Sequence, residues 1–137
     1  MSAATVYVAE STLDPGRAFA TIENVQAYLD TLCASDWWSE RFPGLARIEA
    51  VGIRSRSVEG VGRPELERNA GVIGVTPVGR RELTVLHEVA HVVCRPSAGH
   101  GPEWARTYLE IVYRVMGTDT WTALRTAFVT RGVDIGR

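Results

Sequence analysis

The sequence predicts an α+β fold, in which a small mixed sheet packs against a long apolar helix and two to three further helices. Short β-prone segments, segments whose apolar residues recur at helical spacing, and one nearly all-apolar helix at residues 83–94 favour it. The chain has 137 residues, with no internal repeat and no linker. It is therefore expected to form a single domain over residues 1–137.

The N-terminal part is predicted to hold a strand, a turn and a helix. Thr5 to Ala9 is β-prone and is predicted as the first strand, and Pro15 and Gly16 predict the turn. Thr21 is typical of an N-cap, and the apolar residues after it recur at helical spacing. This pattern predicts a helix from about Ile22 to Ala34.

Residues 35–44 are predicted as a loop that carries an aromatic cluster. The cluster consists of Trp37, Trp38 and Phe42. We expect these rings to pack over the core, and the alternative is that they line a substrate cleft.

Two further strands are predicted in the middle of the chain. Arg47 to Ser57 is predicted as a strand, Ser57 to Asn69 as an exposed loop because of its glycines and proline, and Ala70 to Thr76 as a strand. A strand can receive an extended peptide along its edge, so Ala70 to Thr76, directly before the apolar helix, is the candidate for this role. The alternative is an interior strand with a structural role only.

The C-terminal part is predicted to be helical. Pro102 to Met116 has apolar residues on one face and Gly117 at its end. A last helix is predicted to begin at Thr118 or Asp119 and to end near Gly132. Residues 132–137 are predicted to fray.

The apolar helix carries a pattern that indicates a metal site. His87, Glu88 and His91 form an HExxH sequence. A helix turns about 100° and rises about 1.5 Å per residue, so the two histidines lie one turn apart on one face. Both rings can then bind one metal ion, while Glu88 lies beside it. Such groups in a mostly buried helix cost free energy unless a metal or another partner satisfies them. A polar patch without metal and a purely structural metal site are the alternatives.

A third ligand is expected because catalytic zinc has three protein ligands and one open position. His100 follows a short turn and precedes a helix that begins at Pro102, and it is the candidate. Glu103 is the rival third ligand, with two other roles open to it: holding a ligand histidine, or acting only as a charge at the helix N-terminus. Cys94 is a weaker candidate ligand.

The sequence HEVAH followed by HGPEW resembles the SprT-like zinc metallopeptidases and the small single-domain metallohydrolases that carry this core alone. The resemblance covers residues 80–116. It implies a zincin-like minimal metalloprotease domain, with His87, His91 and His100 as ligands of one catalytic Zn²⁺ and Glu88 as the catalytic acid/base. The chain lacks the four cysteines and the basic tail of many SprT-like proteins, so DNA-linked substrates are not implied.

The expected reaction is hydrolysis of an amide bond by zinc-activated water. Glu88 would take a proton from the water and pass it to the leaving amine. A second group that stabilises the oxyanion is usual in such sites. The sequence leaves four candidates for it: Tyr108, Tyr113, Arg95 and Arg106.

Composition excludes several classes of protein. The net charge is −1, which gives no reason to expect nucleic acid or an anionic membrane as a partner. No stretch has the features of a signal peptide or a membrane span. Cys33 and Cys94 lack metal-binding or redox spacing and are expected to be thiols in a reducing cytoplasm.

Three classes of function remain after these exclusions. A zinc-dependent peptidase acting on peptide or protein substrates is the first. A non-catalytic zincin-like module, whose metal stabilises the fold while partners bind, is the second, and an amide hydrolase of small molecules is the third. The sequence does not predict the oligomeric state.

Overall fold

The computed structural model describes residues 3–54, 60–65 and 70–136, which form a small mixed α+β domain. Within these residues the helices are α1 (Ala3–Ser11), α2 (Ile22–Ala34), α3 (Asp36–Arg41), α4 (Glu82–Val93), α5 (Pro102–Met116) and α6 (Thr118–Thr130). The strands are β1 (Arg47–Gly52), β2 (Gly60–Glu65) and β3 (Ala70–Val75). A short 3-10 helix, Pro96–Ala98, connects α4 to α5.

The first element is a helix, so the prediction of a strand at Thr5 to Ala9 is wrong. Val6 and Ala9, three residues apart, are both fully buried, as one face of a helix requires. Helix α1 packs against α6, far along the chain. The β-prone residues describe only local preference, and this packing overrides it.

Helix α2 begins and ends where the sequence predicts. The Thr21 hydroxyl accepts a hydrogen bond from the Asn24 backbone N–H at 3.1 Å, which caps the first turn. The Gln26 side chain donates to the Ile48 carbonyl and accepts from the Ala50 N–H. The side-chain amide therefore satisfies backbone groups of β1 and joins α2 to the sheet.

The aromatic segment forms helix α3 instead of the predicted loop. Trp38 is fully buried, and its indole N–H donates to the Leu45 carbonyl at 2.8 Å. Trp37 and Phe42 are half-buried against the same core. The expectation that this cluster packs over the core is therefore confirmed. The sequence pattern does not predict this helix because its 6 residues are too few to show a helical period.

The sheet has the strand order β1-β3-β2 within the described residues. β1 is parallel to β3, with Arg47 opposite Ala70. β2 is antiparallel to β3. β1 ends at Gly52, five residues before the predicted end, and residues 55–57 lie outside the described part.

The predicted loop at residues 57–69 contains strand β2, although residues 57–59 and 66–69 lie outside the described ranges. Glycine and proline favoured a loop there, but an edge strand tolerates both.

β3 is an interior strand. It is hydrogen-bonded to β1 on one side and to β2 on the other. It therefore has no free edge for an incoming peptide, and its proposed role as the substrate-binding strand is wrong. Of the two edge strands, β2 is the one that packs against α4.

A close approach between β3 and α4 fixes the position of the site helix. A Cβ atom added at Gly71 would overlap the Val92 side chain, which is 2 % exposed. Glycine is therefore required here by contact, because no side chain fits between strand and helix.

Gly71→Ala is expected to lower the free energy of unfolding by about 1–3 kcal/mol, as overpacking of a core does. Urea denaturation measures this effect. Gly52→Ala is the matched control, since a Cβ atom there would meet nothing within 4 Å. Adding Val92→Ala to Gly71→Ala should recover part of the loss. Equal effects of the two glycine substitutions would contradict the assignment.

The C-terminal helices agree with the sequence prediction, but the tail does not. α5 spans Pro102–Met116, and Gly117 ends it with a φ of 96°. Val133 is 4 % exposed, and its N–H donates to the Phe128 carbonyl at 2.9 Å. The predicted frayed tail is therefore wrong for residues 132–136, because an apolar side chain anchors it. Among the described helices, none is long and apolar enough to cross a bilayer.

Candidate metal centre

Helix α4 carries two of the three histidines on one face. Its apolar residues are buried on nearly all sides, and His87 and Glu88 are 2 % and 3 % exposed. His91 lies in the last turn of the helix and is half-buried. Packing therefore fixes the backbone of the helix and the buried His87 ring.

The connection to α5 brings His100 back to α4. After α4 ends at Val93, the chain forms the short helix Pro96–Ala98 and reverses at Gly99. Gly99 has a φ of 52° and a ψ of −130°, a conformation that favours glycine. The reversal places His100 beside the two histidines of α4, directly before Pro102 starts the next helix.

The three histidines are placed so that they could hold one metal ion. His91 Nε2 lies 3.1 Å from His100 Nε2, which lies 3.2 Å from His87 Nε2. Two nitrogen ligands at about 2.0–2.1 Å from a tetrahedral zinc ion lie about 3.3–3.4 Å apart. The observed separations are within a few tenths of an ångström of this value. The three histidines are therefore placed to hold a single metal ion.

Burial keeps two of these rings unprotonated. Burial, with the His87 and His100 rings adding to it, lowers the pKa of His91 to about 3. Burial and the His87 ring lower the pKa of His100 to about 4, against an opposing effect of Glu10. Both rings are neutral at neutral pH, so protons do not compete there with a metal for the lone pairs.

Glu88 lies on the same side as the converging nitrogens. Its Oε2 is 3.9 Å from His87 Nε2. Glu88 also lines a partly open cavity of about 330 Å³, together with His87, Tyr7, Arg81 and Thr84. A buried acid beside a metal-binding cluster, open to a cavity, is suited to proton transfer with a bound molecule.

Glu10 of α1 contacts this cluster, and the sequence pattern did not predict it. Glu10 Oε2 lies 2.9 Å from His87 Nδ1, the nitrogen that points away from the cluster. The Tyr108 hydroxyl donates to the same oxygen at 2.6 Å. A charged residue alone among the small and apolar residues of Ala3–Ser11 was the available signal. Because the segment was predicted as a strand, the sequence did not place Glu10 near the histidines.

Tyr7, one turn before Glu10, is a second unpredicted neighbour of the site. Its ring is stacked on His87, with 5.5 Å between centroids and 13° between planes. It also meets His100 edge-on at 6.0 Å. The side chain is 36 % exposed and lines the cavity with Glu88, so it forms part of the wall of the site.

Glu103 lies on the surface, away from the three histidines. Its Oε1 pairs with Arg95 Nε at 3.0 Å, and its side chain is 42 % exposed. It lies in the first turn of α5, so the structure favours its role as an N-terminal charge over the two alternatives of third ligand and histidine partner. Cys94 is buried and is not part of the metal-binding group found among the described residues.

The four candidate oxyanion donors have other surroundings. Tyr108 is fully buried and bonds Glu10 behind His87, on the side opposite the converging nitrogens. Arg95 pairs with Glu103, Tyr113 packs edge-on against Trp121, and Arg106 lies against Gly136. The Tyr108 hydroxyl is therefore engaged in the structure that supports the site, and the choice among the four candidates stays a prediction.

Fold and site together define a small α+β domain with a three-histidine cluster that could hold a metal ion. No model of a known protein family, no curated protein and no solved structure gives a significant match to this chain.

Proposed function

We propose that this protein is a zincin-like, zinc-dependent hydrolase, and more narrowly a metallopeptidase. His87, His91 and His100 would hold one Zn²⁺, and Glu88 would act as the general acid/base. One observation carries the proposal: His100 Nε2 lies 3.1 Å from His91 Nε2 and 3.2 Å from His87 Nε2, beside Glu88, which is 3 % exposed and lines a cavity.

The donor set favours zinc over other common ions. Three neutral imidazoles suit Zn²⁺, whereas Mg²⁺ and Ca²⁺ prefer oxygen ligands. A site with three protein ligands keeps one position open, as catalytic zinc sites do. Structural zinc sites are usually closed by four protein ligands, so the count of three favours catalysis.

Glu88 would carry the proton in the reaction. A bound zinc ion supplies an open coordination position, lowers the pKa of water there toward about 7 and polarises a carbonyl group. The Glu88 carboxylate would accept a proton from the water as the water oxygen bonds to the carbonyl carbon. The same carboxyl group then donates that proton to the amide nitrogen as the C–N bond breaks.

An extended peptide is the substrate that the surroundings favour. The cavity beside Glu88 is lined by Tyr7, Arg81 and Val78, which offer an aromatic wall, a cation and an apolar surface. The edge strand that packs against α4 is β2, so a peptide would add to that edge. The resemblance of HEVAH and HGPEW to the SprT-like metallopeptidases supports the same class of substrate.

Turnover that depends on the metal tests the proposal. The protein, loaded with one equivalent of Zn²⁺, is incubated with an unfolded protein, a mixed peptide library and a panel of small amides. We expect peptide cleavage that a chelator stops and added Zn²⁺ restores. Cleavage of small amides alone would contradict the peptidase. Zinc binding with no turnover of any substrate would indicate a non-catalytic, metal-stabilised binding module.

A further inference from the structure

We infer that α1 is part of the metal centre and that Glu10 is the positioning residue that holds the His87 ring for metal binding. This inference rests on the proposed zinc site, although part of its test needs no metal. Glu10 and His87 are 77 residues apart in the chain, and their contact exists only in the folded protein.

The hydrogen bond to Glu10 determines which nitrogen of His87 carries the proton. A carboxylate is an acceptor, so Nδ1 at 2.9 Å from Glu10 Oε2 must be the protonated nitrogen. In the neutral ring Nε2 then presents its lone pair, and this is the atom that lies 3.2 Å from His100 Nε2. A carboxylate on the far nitrogen also makes the imidazole a stronger base and ligand.

Glu10 is itself held in place by α5. The Tyr108 hydroxyl donates to Glu10 Oε2 at 2.6 Å, and the same hydroxyl lies 3.2 Å from the Leu83 carbonyl. Tyr108 is fully buried, so its ring cannot move without disturbing the core. The chain of contacts therefore runs from the rigid core through Tyr108 and Glu10 to His87.

A second contact from α1 restrains the same ring. Tyr7 stacks on His87 one helical turn before Glu10. Val6 and Ala9 on the buried face of α1 anchor the helix, which packs against α6. The helix is thus positioned by the core and applies two restraints to His87, a hydrogen bond in the ring plane and a stacked ring over its face.

Substitution of Glu10 tests this role through two measurements. Glu10→Ala removes the acceptor, Glu10→Gln keeps an oxygen acceptor of similar size, and Glu23→Gln on the exposed start of α2 is the control. The first measurement is the Zn²⁺ dissociation constant from competition with a chromophoric chelator. The second is the ¹⁵N chemical shift pattern of the His87 ring in metal-free protein, which reports the tautomer.

We expect Glu10→Ala to weaken Zn²⁺ binding by roughly 10–100-fold, the usual cost of losing such a partner. The His87 ring should change from a single Nδ1–H tautomer to a mixture. Glu10→Gln should retain the tautomer and bind Zn²⁺ more tightly than Glu10→Ala but less tightly than the natural protein. Tyr108→Phe, which keeps the ring, should weaken binding less than Glu10→Ala. Glu23→Gln should match the natural protein in both measurements.

Natural affinity and an unchanged tautomer in Glu10→Ala would overturn the inference. If Glu10→Ala does not fold, Glu10→Gln and Tyr108→Phe decide, and natural affinity in both would overturn it equally. A natural protein that binds no Zn²⁺ would refute the proposed function. The tautomer measurement on metal-free protein would then still decide whether Glu10 orients His87.

Discussion

Replacing Glu88 with glutamine is expected to abolish hydrolysis while leaving the metal bound. The amide of glutamine has almost the same size as the carboxylate but cannot accept the proton of an attacking water. General acid–base groups contribute about 10²–10⁴-fold to rate, so kcat should fall by at least that factor. Zinc binding should change little, because the three histidines do not depend on Glu88 as a ligand.

The measurement pairs kcat on the best peptide substrate with the zinc content of the purified variant. Glu103→Gln is the matched control, since Glu103 lies on the surface in an ion pair with Arg95. It should keep both zinc and activity. Full activity in Glu88→Gln would show that another group moves the proton, and loss of zinc would show that Glu88 is a ligand.

Replacing His100 with alanine is expected to remove tight zinc binding. Structural zinc sites bind with about 10–16 kcal/mol, so one of three ligands accounts for roughly 3–5 kcal/mol. This loss corresponds to a dissociation constant higher by about 10²–10⁴-fold. Activity should disappear at zinc concentrations that saturate the natural protein.

The control for this variant is Glu103→Ala, because Glu103 was the rival third ligand. Its dissociation constant for zinc should equal that of the natural protein. Circular dichroism checks that both variants are folded. If His100→Ala bound zinc with natural affinity, or if Glu103→Ala lost it, the three-histidine site would be wrong.

Much of the site was predictable from spacing along the chain. His87 and His91 share a helix face because four residues make about one turn. Pro102 and Gly117 mark the ends of α5, and Thr21 marks the start of α2. These signals are local, so they do not depend on contacts with distant parts of the chain.

Other features depended on contacts between distant parts of the chain. Thr5 to Ala9 has the composition of a strand, yet packing against α6 makes it a helix. Val133 lies in a segment with no periodic pattern, yet a buried position beyond α6 holds it. Neither result follows from the residues of the segment, because the stabilising surface is supplied from elsewhere.

The sequence by itself therefore determined the helix that carries HEVAH, the turn that returns His100 and the residue types that favour zinc. Only the tertiary structure decided that Glu10 and not Glu103 meets a histidine, and that β3 is interior. The physical reason is the separation along the chain between the residues that interact. Helical spacing is set by a few neighbouring residues. Strand order and the partner of His87 are set by how buried surfaces of distant segments fit together, and Glu10 and His87 are 77 residues apart.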